Sequence, residues 1–360
     1  MVFQTVVDSI DKTACVVSVE RTDNGYGKIN IVTGTNTDKT EYRCMEEQVE
    51  SFKRERFIRR LKMPLSELED YYRRKRNFDR NKEIRYIALR RAYSKLFIAL
   101  LGMDRALKKK KYQIIGDKRI HTGKAKIYCC THAGSTDISV VNEALKDHCY
   151  WFWGDIGEYY KKIDGLLVWL NGAVLIDTRD KQDRRNALNT AIKVLKKGGN
   201  ILIFPEGSWN ITENKPVMHL YTGAVEMAIE SGADIIPVGI EIYGNTFHIN
   251  IGRNISSRNM ASDSKQEYTE KLRSAMATLK WEIWEQQRRA SRSALPDNIS
   301  ELWQKHIRKM CDEVNFPIEE VYRTMYAFKP DLELKQVKKE LASLIPCREN
   351  AFLFNKRNHY

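Results

Sequence analysis

The sequence predicts an α/β core with a helical segment on either side of it. Between residues 113 and 262, short apolar β-prone runs alternate with stretches of helical spacing, the signature of an α/β layer. From 45 to 112 the apolar residues recur at helical period among many basic ones. Beyond 263 helical stripes return, punctuated by Pro296, Pro317, Pro330 and Pro346.

Three hundred and sixty residues suffice for a sizeable core, and 42% hydrophobic residues is ordinary for a globular chain. No apolar run approaches the roughly 18 residues of a membrane span. The densest is Leu96-Phe97-Ile98-Ala99-Leu100-Leu101. Met1-Val2-Phe3-Gln4 lacks the basic-then-apolar plan of a signal peptide. A chain neither secreted nor integral is expected. Its seven cysteines are odd in number and include no Cys-x-x-Cys, which fits a reducing, cytoplasmic compartment and predicts no metal site. The net charge of +14 is local. Between Lys53 and Lys111 stand 21 Lys and Arg against 7 Asp and Glu, a difference equal to the charge of the whole chain.

Taken in order, residues 1–44 are expected to form a small β-rich element. Two β-branched runs, 15–19 and 28–32, flank the turn signal Thr22-Asp23-Asn24-Gly25. Residues 45–112 read as basic amphipathic helices, with Met63-Pro64 ending one and Pro64 suiting the first turn of the next. There Leu89, Ala92, Tyr93, Leu96, Phe97, Leu100 and Met103 keep the helical period among Arg85, Arg90, Arg91 and Lys95, and four lysines, 108–111, close the block. Such a helix either packs its stripe on the domain beside a solvated charged face, or lies on an anionic bilayer with its basic side chains snorkelling.

Within 113–262, strands are expected at 126–130, 166–170, 173–177, 201–204, 235–240 and 246–251, and helices at 184–197 and 223–231. In the helical extension, 263–360, Leu272, Met276, Leu279 and Ile283 form a stripe that Pro296 ends. Asn298 with Glu301 then resembles a capping pair for the next helix.

The chemistry gathers where strand 126–130 gives way to a helix, at Thr131-His132-Ala133-Gly134-Ser135-Thr136-Asp137. Gly134 and Ser135 suit a tight turn and a helix cap, and Asp137 falls in the helix's first turn. A carboxylate five residues after a histidine can fold back on the imidazole across such a turn. It then holds one ring nitrogen and leaves the other free to take a proton, which is the arrangement of a general base. The same spacing also suits a histidine merely satisfied by a helix-capping aspartate. A second strand, 201–204, ends in Pro205-Glu206-Gly207-Ser208, a turn that holds a carboxylate at the sheet edge.

A His-x4-Asp pair followed about seventy residues later by Phe204-Pro205-Glu206-Gly207-Ser208 resembles the lysophospholipid (glycerolipid) acyltransferase family. Gly172-Ala173-Val174-Leu175-Ile176-Asp177 is similar to its middle motif, and Ile235-Ile236-Pro237-Val238-Gly239 to its late proline-bearing strand. The resemblance implies a mixed-sheet acyltransferase-like core. It also implies transfer of a fatty acyl group from acyl-CoA or acyl carrier protein to a lysophospholipid hydroxyl, most simply lysophosphatidic acid to phosphatidic acid. His132 would be the base and Asp137 its orienter, with no cofactor and no metal. The helix opening near Ser135 would offer N–H donors to the oxyanion. Glu206, Gly207 and Ser208 would line the acceptor side of the pocket or fix the active-site loop. Pro237 would shape the strand near the acyl site, or be an ordinary edge proline.

Three positions depart from the pattern. Thr131 stands where asparagine commonly precedes the histidine, Thr178 where an arginine commonly follows Ile-Asp, and Trp209 where one often follows Glu-Gly-Ser. Binding of the acceptor's phosphate then falls to Arg179, Lys181, Arg184 or Arg185. An acceptor that lives in a bilayer implies an anionic membrane surface as partner, with the chain held peripherally at the inner face of the membrane. The alternative is a basic anionic-surface or nucleic-acid binding protein with an inactive acyltransferase-like fold. No nucleic-acid module is recognisable around Tyr71, Tyr72, Phe78, Tyr86 and Tyr93, so nucleic acid is not the expected partner. No Gly-x-Ser-x-Gly elbow is present, which argues against a hydrolase and for direct transfer.

Overall fold

The computed structural model describes residues 3–8, 14–21, 27–33, 55–79, 82–134, 136–154, 156–178, 180–212, 215–287 and 296–325. The chain divides into two compact units, one up to Arg54 and one from Glu55 onward. In the first, β1 (Phe3–Asp8), β2 (Ala14–Arg21) and β3 (Gly27–Thr33) pair antiparallel in chain order. The expected runs at 15–19 and 28–32 are β2 and β3. The turn at 22–25 lies outside the described residues.

The second unit opens with α1 (Phe57–Lys62), α2 (Leu65–Asp79) and α3 (Ile87–Leu107). A layered segment follows: β4 (Lys111–Asp117), β5 (Lys126–Cys130), α4 (Asp137–Leu145), β6 (Cys149–Trp153), α5 (Ile156–Lys161), α6 (Ile163–Asn171), β7 (Ala173–Leu175), α7 (Lys181–Lys196), β8 (Asn200–Ile203), α8 (Gly223–Ser231), β9 (Asp234–Tyr243) and β10 (Thr246–Ile251). Three helices complete the described chain: α9 (Lys265–Glu285), α10 (Ile299–Val314) and α11 (Ile318–Met325). The seven strands of this unit lie in the order β4-β10-β9-β5-β8-β6-β7. Strands β9, β5, β8, β6 and β7 run parallel, while β10 is antiparallel to β9 and parallel to β4. The sheet is therefore mixed, as expected.

Because side chains alternate across a strand, each strand feeds two cores. Ile127, Cys129, Tyr150, Ile201 and Ile235 pack on one face with Ala191 and Leu195 of α7, Val225 of α8, and Leu272 and Met276 of α9. Tyr128, Cys130, Trp151, Leu202 and Ile236 pack on the other with Phe97 of α3, Val141 and Leu145 of α4, and Val168 of α6. Helices read as extensions thus complete both layers, and the segments divided at 112/113 and 262/263 share one compact unit.

Several elements differ from the sequence expectation. Residues 166–170 are not a strand but the body of α6. A continuous apolar run carries no period, so helix and strand cannot be told apart by pattern. Only Val168 of that run is buried, while Leu166, Trp169 and Leu170 face solvent. The strand in this region is β6, and β4 adds another at the sheet's edge. Helix α9 stops at Glu285, well before Pro296. Asn298 does occupy the N-cap of α10, but its side chain bonds Glu301 rather than a backbone N–H. Pro237 is not an edge proline, since β9 lies between β5 and β10. It sits where β10 ends and Gly252 N–H donates to its carbonyl at 2.9 Å. The reciprocal N–H of such a pair is the one a proline lacks.

The stripe of α3 divides between two faces. Ser94 and Phe97 are buried, with the Phe97 ring 5.2 Å from that of Trp151. Leu89, Leu96, Met103 and Leu107 are exposed. Among the described residues, no helix is long and apolar enough to cross a membrane.

Candidate active site

Strands β5 and β8 are parallel neighbours with Cys129 opposite Ile203, so the turns that follow them open on the same edge of the sheet. In open sheets of this kind that carboxyl edge is where ligands bind. The β5 turn carries His132 and the β8 turn carries Glu206, and the two turns are bonded to each other.

His132 is held at three points. Its Nδ1 lies 2.9 Å from Asp137 Oδ2, which also accepts the N–H groups of Ala133 at 2.9 Å and Gly134 at 3.0 Å. With a carboxylate facing it, Nδ1 carries the proton and Nε2 is left as the basic nitrogen. The His132 N–H donates to Glu206 Oε1 at 3.0 Å, and its carbonyl accepts from Asn210 N–H at 2.8 Å. The imidazole stacks on Phe204 at 4.0 Å and meets the edge of Trp209 at 6.1 Å. Its side chain remains 19% exposed while that of Asp137 is 1% exposed, so the imidazole can be reached and the carboxylate cannot.

Glu206 is fully buried, and its second oxygen accepts from Met218 N–H at 2.8 Å. Burial pushes its carboxyl above the usual range. The Lys280 ammonium, the Met218 and His132 N–H groups and the His132 ring work against that rise. Of the two roles open to Glu206, this geometry favours fixing the loop, because both oxygens face backbone donors. Two glycines make the turns possible. Gly134 has φ +103 and lies under Met310 and Trp209, while Gly207 has φ +71 and lies against the Tyr221 ring. A Cβ on Gly207 would come within 2.6 Å of that ring. Ser208 is buried and its hydroxyl donates to the Val321 carbonyl of α11 at 3.3 Å.

Thr131, in place of the commoner asparagine, extends the β5–β9 pairing. Its N–H donates to the Val238 carbonyl, and its hydroxyl accepts from Ile240 N–H at 2.8 Å. The N–H groups of Ala133 and Gly134 are directed at the Asp137 carboxylate. Ser135 lies outside the described residues.

The arginines separate. Arg179 lies outside the described residues. Arg185 pairs with Glu226 of α8, which also binds Lys265. Arg184 is exposed and donates to the Thr178 carbonyl at 2.6 Å, at the turn where the family's arginine would begin. Burial raises the pKa of the Tyr221 hydroxyl, beside the Gly207 turn, and the Arg184 charge works against that rise. Lys181 is exposed at the start of α7. The basic block supplies further anchors. Arg73 donates twice to Asp177 Oδ2, at 2.7 and 3.2 Å, and Arg76 of the same helix lies 3.6 Å from Asp183.

Sequence reasoning does not find Asn210, nor the roof over the site. Trp209 packs on Phe316 at 5.4 Å, and Trp303 Nε1 donates to the Ile211 carbonyl at 2.8 Å. Ile211, Trp303, Ile307, Met310 and Val321 form a third core, by which α10 and α11 cover the 208–211 loop.

The sequence model of the acyltransferase family matches residues 111–241. The 1-acyl-sn-glycerol-3-phosphate acyltransferase of Saccharomyces cerevisiae is 24% identical over 195 residues, 50% of this chain and 61% of that protein. The Escherichia coli protein of the same description is 31% identical over 87 residues, 24% of this chain and 35% of that one. The chain thus spans less than two thirds of the length of these relatives. A crystal structure of the 1-acyl-sn-glycerophosphate acyltransferase from Thermotoga maritima matches with a TM-score of 0.44 and 16% identity, over 61% of this chain and 90% of that one.

Proposed function

Because residues 111–241 place this chain in the acyltransferase family, we propose that it transfers a fatty acyl group from an acyl thioester to the free hydroxyl of a lysophospholipid. The observation that carries the reading is the three-point clamp on His132. Nε2 takes the acceptor hydroxyl's proton as the oxygen attacks the thioester carbonyl. The tetrahedral intermediate collapses with cleavage of the carbon–sulfur bond, and the departing thiolate receives the proton from His132. A base so placed contributes about 10²–10⁴-fold. Lysophosphatidic acid is the simplest acceptor, as in the relatives' names, and acyl-CoA or acyl carrier protein the donor. An inactive fold is disfavoured by the same clamp, since a merely capped histidine would not need both backbone groups held. Incubating the purified protein with a thioester donor and a panel of lysolipids, with products read by mass spectrometry, tests the reading.

Arg184 is proposed as the phosphate ligand that stands in for the displaced family arginine. A charge-assisted hydrogen bond is worth about 1.5–3 kcal/mol, so Arg184→Ala should raise the acceptor KM about tenfold or more and leave the donor KM nearly unchanged. Arg185→Ala should do much less, its charge being engaged by Glu226. Steady-state kinetics with each substrate varied in turn checks this. An untouched acceptor KM in Arg184→Ala would move the phosphate site elsewhere.

Peripheral attachment to the inner face of a membrane is proposed from α3 and α6. Leu89, Leu96, Met103 and Leu107 on α3 and Leu166, Trp169 and Leu170 on α6 are exposed, with Arg85, Arg91 and Lys95 beside them. The 108–111 lysines contribute less than their number suggests, because Lys108 pairs with Asp104 and Lys110 with Glu313. Burying a leucine-sized side chain is worth about 1.5–3 kcal/mol, so replacing Leu89, Leu96 and Met103 together by glutamine should weaken vesicle binding by more than tenfold. Binding should favour anionic over neutral phosphatidylcholine vesicles and fall as salt rises, since basic residues act over a Debye length. Co-sedimentation across a salt series, with a DNA duplex as competitor, is the measurement. Duplex binding without vesicle binding would favour the nucleic-acid alternative.

A further inference from the structure

Lys280 lies on α9, outside the matched segment, and no sequence motif points to it. It is 1% exposed, one of the largest fully buried side chains in the protein. Its ammonium lies 3.2 Å from Glu241 Oε2 on β9 and 5.6 Å from the centre of the Trp284 ring. Glu241 also accepts from Trp284 Nε1 at 2.7 Å. Lys280 and Glu241 line a small cavity with Ala133 and Asn210, the residues flanking the His132 clamp, and with His306 of α10. Removing an ammonium from water is costly unless it is paired, and one carboxylate already pairs this one. The same ammonium acts on Glu206, the carboxylate that holds the His132 N–H.

We infer that Lys280 is a positioning residue for His132: its buried ammonium is the shared counter-charge of Glu241 and Glu206, and it keeps Glu206 an acceptor of the His132 and Met218 N–H groups. The inference rests on the acyl-transfer reading and deepens it. A protonated Glu206 would present a hydroxyl as donor to one of two N–H donors, and the turn carrying His132 would be released. The charged and titratable groups around this centre are Glu241 and, across the strand pair, His248 from the sheet, His132 and Glu206 from the turns, and His306 from α10. Loss of a cation raises the pKa of each neighbour. Glu206 therefore takes up its proton at a higher pH without Lys280.

The test uses the full chain and three variants. In Lys280→Met, kcat should fall by about 10²-fold, the scale of a slightly misplaced reacting group, with both KM values within about twofold of wild type. The acid limb of its rate profile should move up by about one pH unit or more. Lys280→Arg retains the charge and should restore the limb. If Lys280→Met does not fold, Lys280→Met with Glu241→Gln removes both members of the ion pair together, which buried pairs tolerate far better than loss of one. That double variant should still lose turnover, and hydrogen exchange of the His132 and Met218 amides should quicken. A folded double variant with wild-type kcat and wild-type protection of both amides would overturn the inference. If wild-type protein transfers no acyl group at all, the acyl-transfer reading fails, and the amide exchange alone decides whether Lys280 holds the turn.

Discussion

His132→Ala is expected to lower acyl transfer by about 10²–10⁴-fold while leaving the protein folded. The clamp on this residue makes both halves of the statement. Glu206 and Asn210 bond its backbone, so the truncated residue keeps its place in the turn. What disappears is the ring and its bond to Asp137. Asp137→Asn should lose most of the activity too, because a neutral amide replaces the charge that steadies the imidazolium. Since the two act as a unit, the double variant should be little worse than His132→Ala alone. Initial rates and thermal melts of the three proteins are the measurement. Wild-type turnover in folded His132→Ala would end the general-base assignment.

Glu206→Gln is expected to cost both stability and turnover. Whichever way the amide is turned, its NH₂ meets the N–H of His132 or of Met218, and one buried donor goes without an acceptor. That loss is about 1–3 kcal/mol, and more for a charged group. A loosened His132 should lower kcat by about 10²-fold. Denaturant unfolding reads the first effect and kinetics the second. The kinetics also separate the two roles open to this glutamate. A falling kcat with steady KM marks a loop anchor, whereas a risen acceptor KM alone would mark a substrate contact.

The part of the site that could be read from sequence is the part built from near neighbours. His132 and Asp137 are five residues apart across one turn, and Pro205-Glu206-Gly207 is a turn by its own chemistry. Asn210 was out of reach because its contribution is a backbone N–H, which any residue but proline could supply. Lys280 was hidden for a different reason. It sits beside a stripe already explained by Leu272, Met276, Leu279 and Ile283, and its partner Glu241 lies on a strand read from its apolar residues. The alternating strands were legible where turn signals bounded them. The failure at 166–170 comes from five apolar residues in a row, and β6 escapes for the same reason, because Cys149-Tyr150-Trp151-Phe152-Trp153 is apolar throughout and carries no alternation, even with Gly154 bounding it. The division of α3 between a packed and an exposed face follows from what surrounds the helix, which its period alone does not record.

The covering of the 208–211 loop by α10 and α11 bears on how this protein can be altered by recombination. The segment that the acyltransferase family model matches ends at residue 241, yet Ile211 and Trp209 rest on side chains from beyond 299, and Ser208 bonds the carbonyl of Val321. The His132 and Glu206 turns and the wall that supports them thus come from different stretches of chain. Grafting residues 111–241 into another protein would carry the chemistry across without the surface that shelters it. A chimera of this protein needs its breakpoints outside α3 and α11.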